Sequence, residues 1–243
     1  MDYIVIIGAN SDIAKELARC YAQKGYSLYL AARQTGLLEN FSSDLQIRYD
    51  VEVELVQFDI LQYKSHLKFY NQLAIKPIGV VVAVGYLGDQ CDAQNNFKET
   101  QTIIDTNYTG IVSILNIVAN DFEKRQNGFI VGISSVAGDR GRKSNYMYGA
   151  AKAALSTYLS GLRNRLYRSN VHVLTVKPGF VRTKMTEGMD LPKNLMIEPQ
   201  IIAQDIYLAQ KNKKDILYSK WIWKWIMCFI KNTPEHVFKK LII

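Results

Sequence analysis

Cysteine and histidine are scarce in this 243-residue chain: three of each, Cys20, Cys91 and Cys228, and His66, His172 and His236. An odd number of well-separated cysteines excludes a disulfide framework, and neither residue type falls at metal-ligand spacing, so no metal site is expected. No apolar run reaches the roughly 20 residues that a bilayer-spanning helix needs. The N-terminus lacks a basic segment followed by a cleavable apolar stretch, so no secretory leader is expected. These absences point to a reduced, cytoplasmic protein. Acidic residues are also few at the other end. Residues 211–243 carry eight lysines against Asp215 and Glu235, so +6 of the formal +8 net charge sits there. Charge gathered at one end speaks against a nucleic-acid stripe and for a local patch facing an anionic surface.

Apolar sequence is plentiful, 48% of the chain, enough for one well-packed α/β domain and too little chain for two. Tyr3 to Ile7 is a short apolar strand that enters the turn Gly8-Ala-Asn10-Ser11-Asp12-Ile13-Ala and then a helix with apolar positions at Ile13, Leu17, Cys20 and Tyr21. Such a turn aims free N–H groups and a helix dipole at an anion, and a cofactor pyrophosphate is a natural occupant. A plain capped helix, with Asp12 as N-cap, is the other reading. Ser27 to Ala32 is a second strand. It ends on Arg33, where dinucleotide-binding folds that take NAD have an acid for the ribose 2′-OH. A planar guanidinium there pairs with a 2′-phosphate and favours NADP over NAD; a surface arginine is the bland alternative.

Residues 52–58 alternate as a third strand closing on Asp59-Ile60, and 78–84 form a continuous apolar run ending Val82-Ala83-Val84-Gly85. A helical segment at 98–124 contains Asn107 and Gly110. Gly128 to Ile133 is a buried strand; Ser135 follows it, and Tyr148 comes thirteen residues after Ser135. Lys152 is four residues beyond Tyr148, so on a helix both side chains share one face. A positive charge held near a phenol lowers its ordinary pKa of ~10 toward the working range of an acid or base. The strand at 171–176 runs into Lys177-Pro178-Gly179-Phe-Val181-Arg-Thr183. Alternating strands and helices specify an α/β fold, a doubly wound, Rossmann-like parallel sheet of about seven strands with helices on both faces.

Ser135, the Tyr148-x-x-x-Lys152 pair, Asn107 in Asn-x-x-Gly, and Pro178-Gly179-x-Val181-x-Thr183 together resemble the short-chain dehydrogenase/reductase family, in order across roughly the first 190 residues. The resemblance implies hydride transfer between NADP(H) and a carbonyl or alcohol. Tyr148 would be the proton donor or acceptor, Lys152 would lower its pKa and contact the nicotinamide ribose, Ser135 would hold the substrate oxygen, and Asn107 would bend its helix and hold a relay water. Asp59 with Ile60 would meet the adenine, and Val181 and Thr183 the carboxamide. The sequence departs from the family in two places: of Gly-x-x-x-Gly-x-Gly only Gly8 survives, and Val82-Ala83-Val84-Gly85 replaces Asn-Asn-Ala-Gly. The resemblance also implies a homodimer or homotetramer built on the helices of Asn107 and Tyr148.

The cofactor-binding, catalytic domain is expected at 1–218 and a helical extension at 219–243. Trp221, Trp223 and Trp225 stand among five other apolar residues in 221–230, followed by Lys231 and then Val237, Phe238, Leu241, Ile242 and Ile243. Tryptophan beside lysine is the composition of a helix lying in a membrane interface; a clamp on the sheet or across a dimer is the alternative. A narrower resemblance, in Gly85-Tyr-Leu-Gly-Asp-Gln90, in Asp139-Arg140-Gly-Arg142-Lys143-Ser144 and in the tail, is to keto-sugar reductases of decaprenylphosphoryl-ribose 2-epimerisation. It implies a keto-sugar on a polyprenyl phosphate or a related cell-envelope glycan precursor, reduced at the inner membrane face, with Arg140, Arg142 and Lys143 placed to receive a phosphodiester. Two other readings stay open: a soluble reductase of small ketones or 3-ketoacyl thioesters, and a non-catalytic NADP-binding subunit.

Overall fold

The computed structural model describes residues 2–241. Ile242 and Ile243, counted above in the apolar tail, lie outside the described residues. Strands β1 (Tyr3–Ile7), β2 (Ser27–Ala32), β3 (Val53–Gln57), β4 (Gly79–Val82), β5 (Gly128–Ile133), β6 (Val171–Pro178) and β9 (Ile216–Ser219) form one sheet in the order β3-β2-β1-β4-β5-β6-β9. Every neighbouring pair is parallel. All residues of β1, β2 and β4 are buried, as required of strands covered on both faces, and this explains why they read as unbroken apolar runs. Two further strands, β7 (Phe180–Val181) and β8 (Met196–Ile197), make a separate parallel ribbon.

Helices α1 (Asp12–Ala22), α2 (Glu39–Tyr49) and α8 (Pro199–Lys211) pack against one face of the sheet through Leu17, Leu45 and Ile206. Helices α3 (Tyr63–Gln72), α6 (Gly110–Arg125) and α7 (Tyr146–Leu166) cover the other through Phe69, Ile114 and Leu159. Strand order reverses between β1 and β4, so a crevice opens at their carboxyl ends, the place where open α/β sheets bind ligands. Beside it lie the short helices α4 (Gln90–Asn95) and α5 (Phe97–Ile104).

Three element boundaries differ from expectation. The helix expected at 98–124 is broken by a π turn over Asp105–Thr109 between α5 and α6. The strand expected at 171–176 continues through Lys177 and Pro178, because β9 pairs there, with Lys177 opposite Tyr218 and Pro178 opposite Ser219. The domain boundary expected after Tyr218 therefore falls inside β9, and Ser219 is anchored further by donating to Asp205 Oδ2 at 2.8 Å.

Beyond β9 the chain folds back on its own domain as α9 (Ile222–Asn232) and α10 (Glu235–Phe238). Trp223 and Met227 are buried with Val136 in a third small core. The Trp223 ring meets Phe180 edge-on at 5.0 Å, and a β-carbon on Gly179 would lie 1.8 Å from its Nε1. Only glycine at 179 admits the indole.

Candidate active site

The turn after β1 comes close to the end of β4. Gly8 has φ +86°, and a β-carbon there would sit 2.9 Å from the Ala83 carbonyl; a side chain is excluded on both counts. Its N–H and that of Ala9 donate to Ala31 O at 2.9 and 3.1 Å, tying the turn to β2. The N-cap of α1 is Ser11, not Asp12: Ser11 is extended, and its Oγ accepts from Ala14 N at 3.2 Å. Asp12 is the first helical residue, where the dipole favours a carboxylate, and its Oδ2 accepts from Lys184 N at 2.9 Å. The side chain thus fastens the segment after β7 to the start of α1.

Two adjoining cavities occupy the crevice. One, about 390 Å³, is lined by Gly8, Asn10, Ser11, Arg33, Ile60 and Ala83 among others. Arg33 is exposed. Asp59 does not line this cavity; its Oδ1 accepts from Leu61 N at 3.0 Å, and Phe58, Ile60 and Leu61 form the wall on that side. The second, about 370 Å³, brings together Ile13, Ser135, Tyr148, Lys152, Pro178, Gly179, Val181 and Thr183. Asn10, Ser11, Ala83, Val84 and Gly85 line both. A glycine turn, a helix N-terminus, a guanidinium at the far end and the buried, unpartnered Oδ1 of Asn10 are a donor and acceptor set that fits a dinucleotide carrying a 2′-phosphate.

Asn107 lies behind this wall, fully buried at the π turn. Its Nδ2 donates to Ile103 O at 2.8 Å and Tyr86 O at 2.6 Å, and its Oδ1 accepts from Tyr86 N at 3.2 Å. An amide in a helix competes for backbone partners, and here it sits in the π turn and holds the segment after β4. This rebuilds bonding that Val82-Ala83-Val84 has no asparagine to supply.

Lys152 is buried, and its ammonium donates to Ile133 O at 3.0 Å and Val84 O at 3.4 Å. Burial draws its pKa down to about 7, because a dry site disfavours the charged form. The expected lowering of the Tyr148 phenol by Lys152 is not seen. Burial pushes the phenol up to about 12, and among its neighbours only the Ser135 hydroxyl draws it down. The ammonium faces the phenol's ring, 5.7 Å from its centroid, with its hydrogen bonds spent on backbone carbonyls.

Several contributing residues escaped the sequence reading. Ser134 donates to Lys152 O at 2.9 Å and lies 2.8 Å from Ser156 Oγ, fixing α7 against β5. Met185 lines the second cavity, and Thr186 Oγ1 donates to Val181 O at 2.6 Å. The Ser134-Ser135 doublet and the continuation of the loop past Thr183 were the available signals. The loop after Ser135 holds the tail instead of opening to a ligand. Asp139 accepts from Lys177 Nζ at 2.5 Å and from Tyr218 OH at 2.7 Å. Arg140 binds the Ile230 and Thr233 carbonyls at 2.6 and 2.5 Å, and Arg142 donates to Met227 Sδ at 3.3 Å. The phosphodiester role expected for Arg140 and Arg142 is overturned, since the carbonyl end of α9 takes one guanidinium and its sulfur the other; Lys143 alone remains exposed.

The short chain dehydrogenase family model matches residues 2–193. An uncharacterized oxidoreductase of Mycobacterium tuberculosis is 34% identical over 241 residues, covering 98% of this chain and 96% of that protein. Among solved structures, a short-chain dehydrogenase from Sphingobium yanoikuyae in complex with NADPH superposes with a TM-score of 0.85 at 21% identity, covering 99% of this chain and 96% of that one. The bulky-bulky ketone specific alcohol dehydrogenase from Comamonas testosteroni gives 0.84 at 20% identity, covering 99% and 95%. With the parallel sheet, the crevice at its switch point and Ser135, Tyr148 and Lys152 in one wall, these matches show that the chain belongs to the short-chain dehydrogenase family.

Proposed function

We propose that this chain is an NADPH-dependent oxidoreductase that reduces a ketone carried by a lipid-linked molecule. The observation that carries the reaction class is the meeting of Ser135, Tyr148 and Lys152 in a cavity continuous with the one that reaches Arg33. NADPH, when bound, supplies the hydride to the carbonyl carbon. The Ser135 hydroxyl holds the carbonyl oxygen, and the Tyr148 phenol gives it a proton. Burial raises the phenol, so it is protonated at neutral pH and available as the proton donor when a carbonyl is reduced. Lys152, buried against the Ile133 and Val84 carbonyls, is the positive group nearest the phenol ring, 5.7 Å from its centroid, and its role in the reading is to hold the nicotinamide ribose beside Tyr148.

The lipid-linked reading is supported by the character of the second cavity. Beyond the residues that would hold the cofactor, Met185 contributes to its wall, and Met185 and Met189 are exposed on the loop beside it. The keto-sugar form of the substrate keeps Lys143 as its one free loop cation for a phosphodiester. A ketone with two bulky substituents, as in the name of the Comamonas enzyme, is compatible with the same wall. We place the work at the inner membrane face. A soluble reductase of small ketones or 3-ketoacyl thioesters would use the tail as a lid over a lipophilic substrate, and no residue of α9 lines the second cavity.

The test is Tyr148→Phe with a keto-lipid and a 3-ketoacyl thioester as alternative substrates. Turnover should fall by ~10²–10⁴ while NADPH binding, followed by cofactor fluorescence, is retained. Unchanged function in the variant would identify a non-catalytic NADP-binding subunit, and preference for the thioester would replace the lipid-linked substrate.

A further inference from the structure

We propose that the outer face of α9 is a docking surface for an anionic phospholipid bilayer. Trp221, Trp225 and Phe229 are 71%, 64% and 76% exposed. At i, i+4 and i+8 they form one line, opposite the face that buries Trp223 and Met227. Singly scattered apolar residues need no explanation, but a contiguous line of large aromatics marks a contact surface.

The stripe is held ready. Arg140 caps the last turn of α9 through the carbonyls of Ile230, Lys231 and Thr233 at 2.6, 3.3 and 2.5 Å. It also pairs with Glu235 at 2.7 Å and lies 3.8 Å from the Phe238 ring centroid. Docking then costs little ordering of the helix.

Charge selects the occupant. Residues 219–241 contain five lysines and one acid, Glu235, and that carboxylate is already engaged by Arg140. Lys224 and Lys231 are exposed on α9, the arrangement by which an interfacial helix meets anionic headgroups. A second copy would bring the same excess of lysine to both sides of the contact, and like charge gathered at an interface is costly. No helix among the described residues is long and apolar enough to cross a membrane, so α9 lies on the bilayer. Lys220, two residues before α9, donates its Nζ to Asn194 O at 3.0 Å and so ties the start of the helix to the loop that carries Met185 and Met189, 43% and 48% exposed.

This surface deepens the lipid-linked reading and rests on its premise of a membrane-edge substrate, but its test needs no turnover. The full-length protein is sedimented with vesicles of phosphatidylcholine alone or mixed with phosphatidylglycerol, at low and high salt. Binding to the anionic vesicles, weakened by salt, is expected. Trp225→Ser and Phe229→Ser should each lower it about tenfold, and Lys224→Glu about fivefold, with NADPH binding unchanged in all three. Absence of binding to phosphatidylglycerol vesicles, or equal binding by the variants, would overturn the proposal, as would variants that split an oligomer while leaving vesicle binding intact. Any of these with intact NADPH binding and turnover leaves the reductase standing, whereas a wild-type protein that binds vesicles and ignores NADPH sinks the reductase alone.

Discussion

Lys152 has a pKa drawn from the ordinary 10.5 to about 7 by burial. Between those values the unfolded chain holds a proton that the folded chain has released, so stability of the cofactor-free protein rises with pH across that window. Urea denaturation at pH 7 and pH 8.5 should show the rise, and Lys152→Met should flatten it. Arg33 is the residue on which NADP preference turns: Arg33→Ala should cost roughly 1.5–3 kcal/mol of NADPH affinity, about ten- to hundredfold, and leave NADH binding unaltered in parallel fluorescence titrations. Spacing put Tyr148 and Lys152 on one helix face, and the family resemblance added Ser135 to them; the three line one cavity because a strand end and that helix face meet there. The partner of Asp12 was not legible: Lys184 is 172 residues away, and nothing local announces the contact. The state of Tyr148 was misread for a related reason, since spacing reports proximity to Lys152 and is silent about the burial that outweighs it.

At the scale of elements, Asn107 shows how one side chain reshapes a helix. The family resemblance implied a bend at Asn107; the π turn found there and the bonds to Tyr86 depend on how the segment after β4 returns. Asn107→Leu deprives the Tyr86 N–H and carbonyl of their partner, so a loss of about 2 kcal/mol is expected, read as a lower urea midpoint. Helix α9 was the least legible element. Apolar residues occupy nearly all of 221–230, and large aromatics stand on both its buried and its exposed sides, Trp223 on one and Trp221, Trp225 and Phe229 on the other, so apolar character does not by itself say which side meets the domain. The choice is made by Gly179, whose missing side chain leaves room for Trp223. Gly179→Ala should therefore lift α9 from the domain, and limited proteolysis should cut between β9 and α9 at a protease dose that spares the wild type.

For the molecule as a whole, the doubly wound sheet was readable because its strands alternate with helices and its central strands are apolar throughout. How copies associate was not readable from periodicity. We expect a homodimer or homotetramer on the outer faces of α5, α6 and α7, and sedimentation equilibrium should give a mass two or four times that of the 27.7 kDa chain; a monomer would remove that assembly. The three tryptophans divide between two environments, Trp223 pressed on Gly179 in the loop after β6 and Trp221 with Trp225 facing outward. Indole emission overlaps the absorption band of reduced nicotinamide. NADPH entering should therefore dim the tryptophan emission, and because Trp223 is the buried member, packed on a glycine that lines the second cavity, the light that remains should shift toward that of the exposed Trp221 and Trp225, whereas burial of the outer pair shifts it the other way.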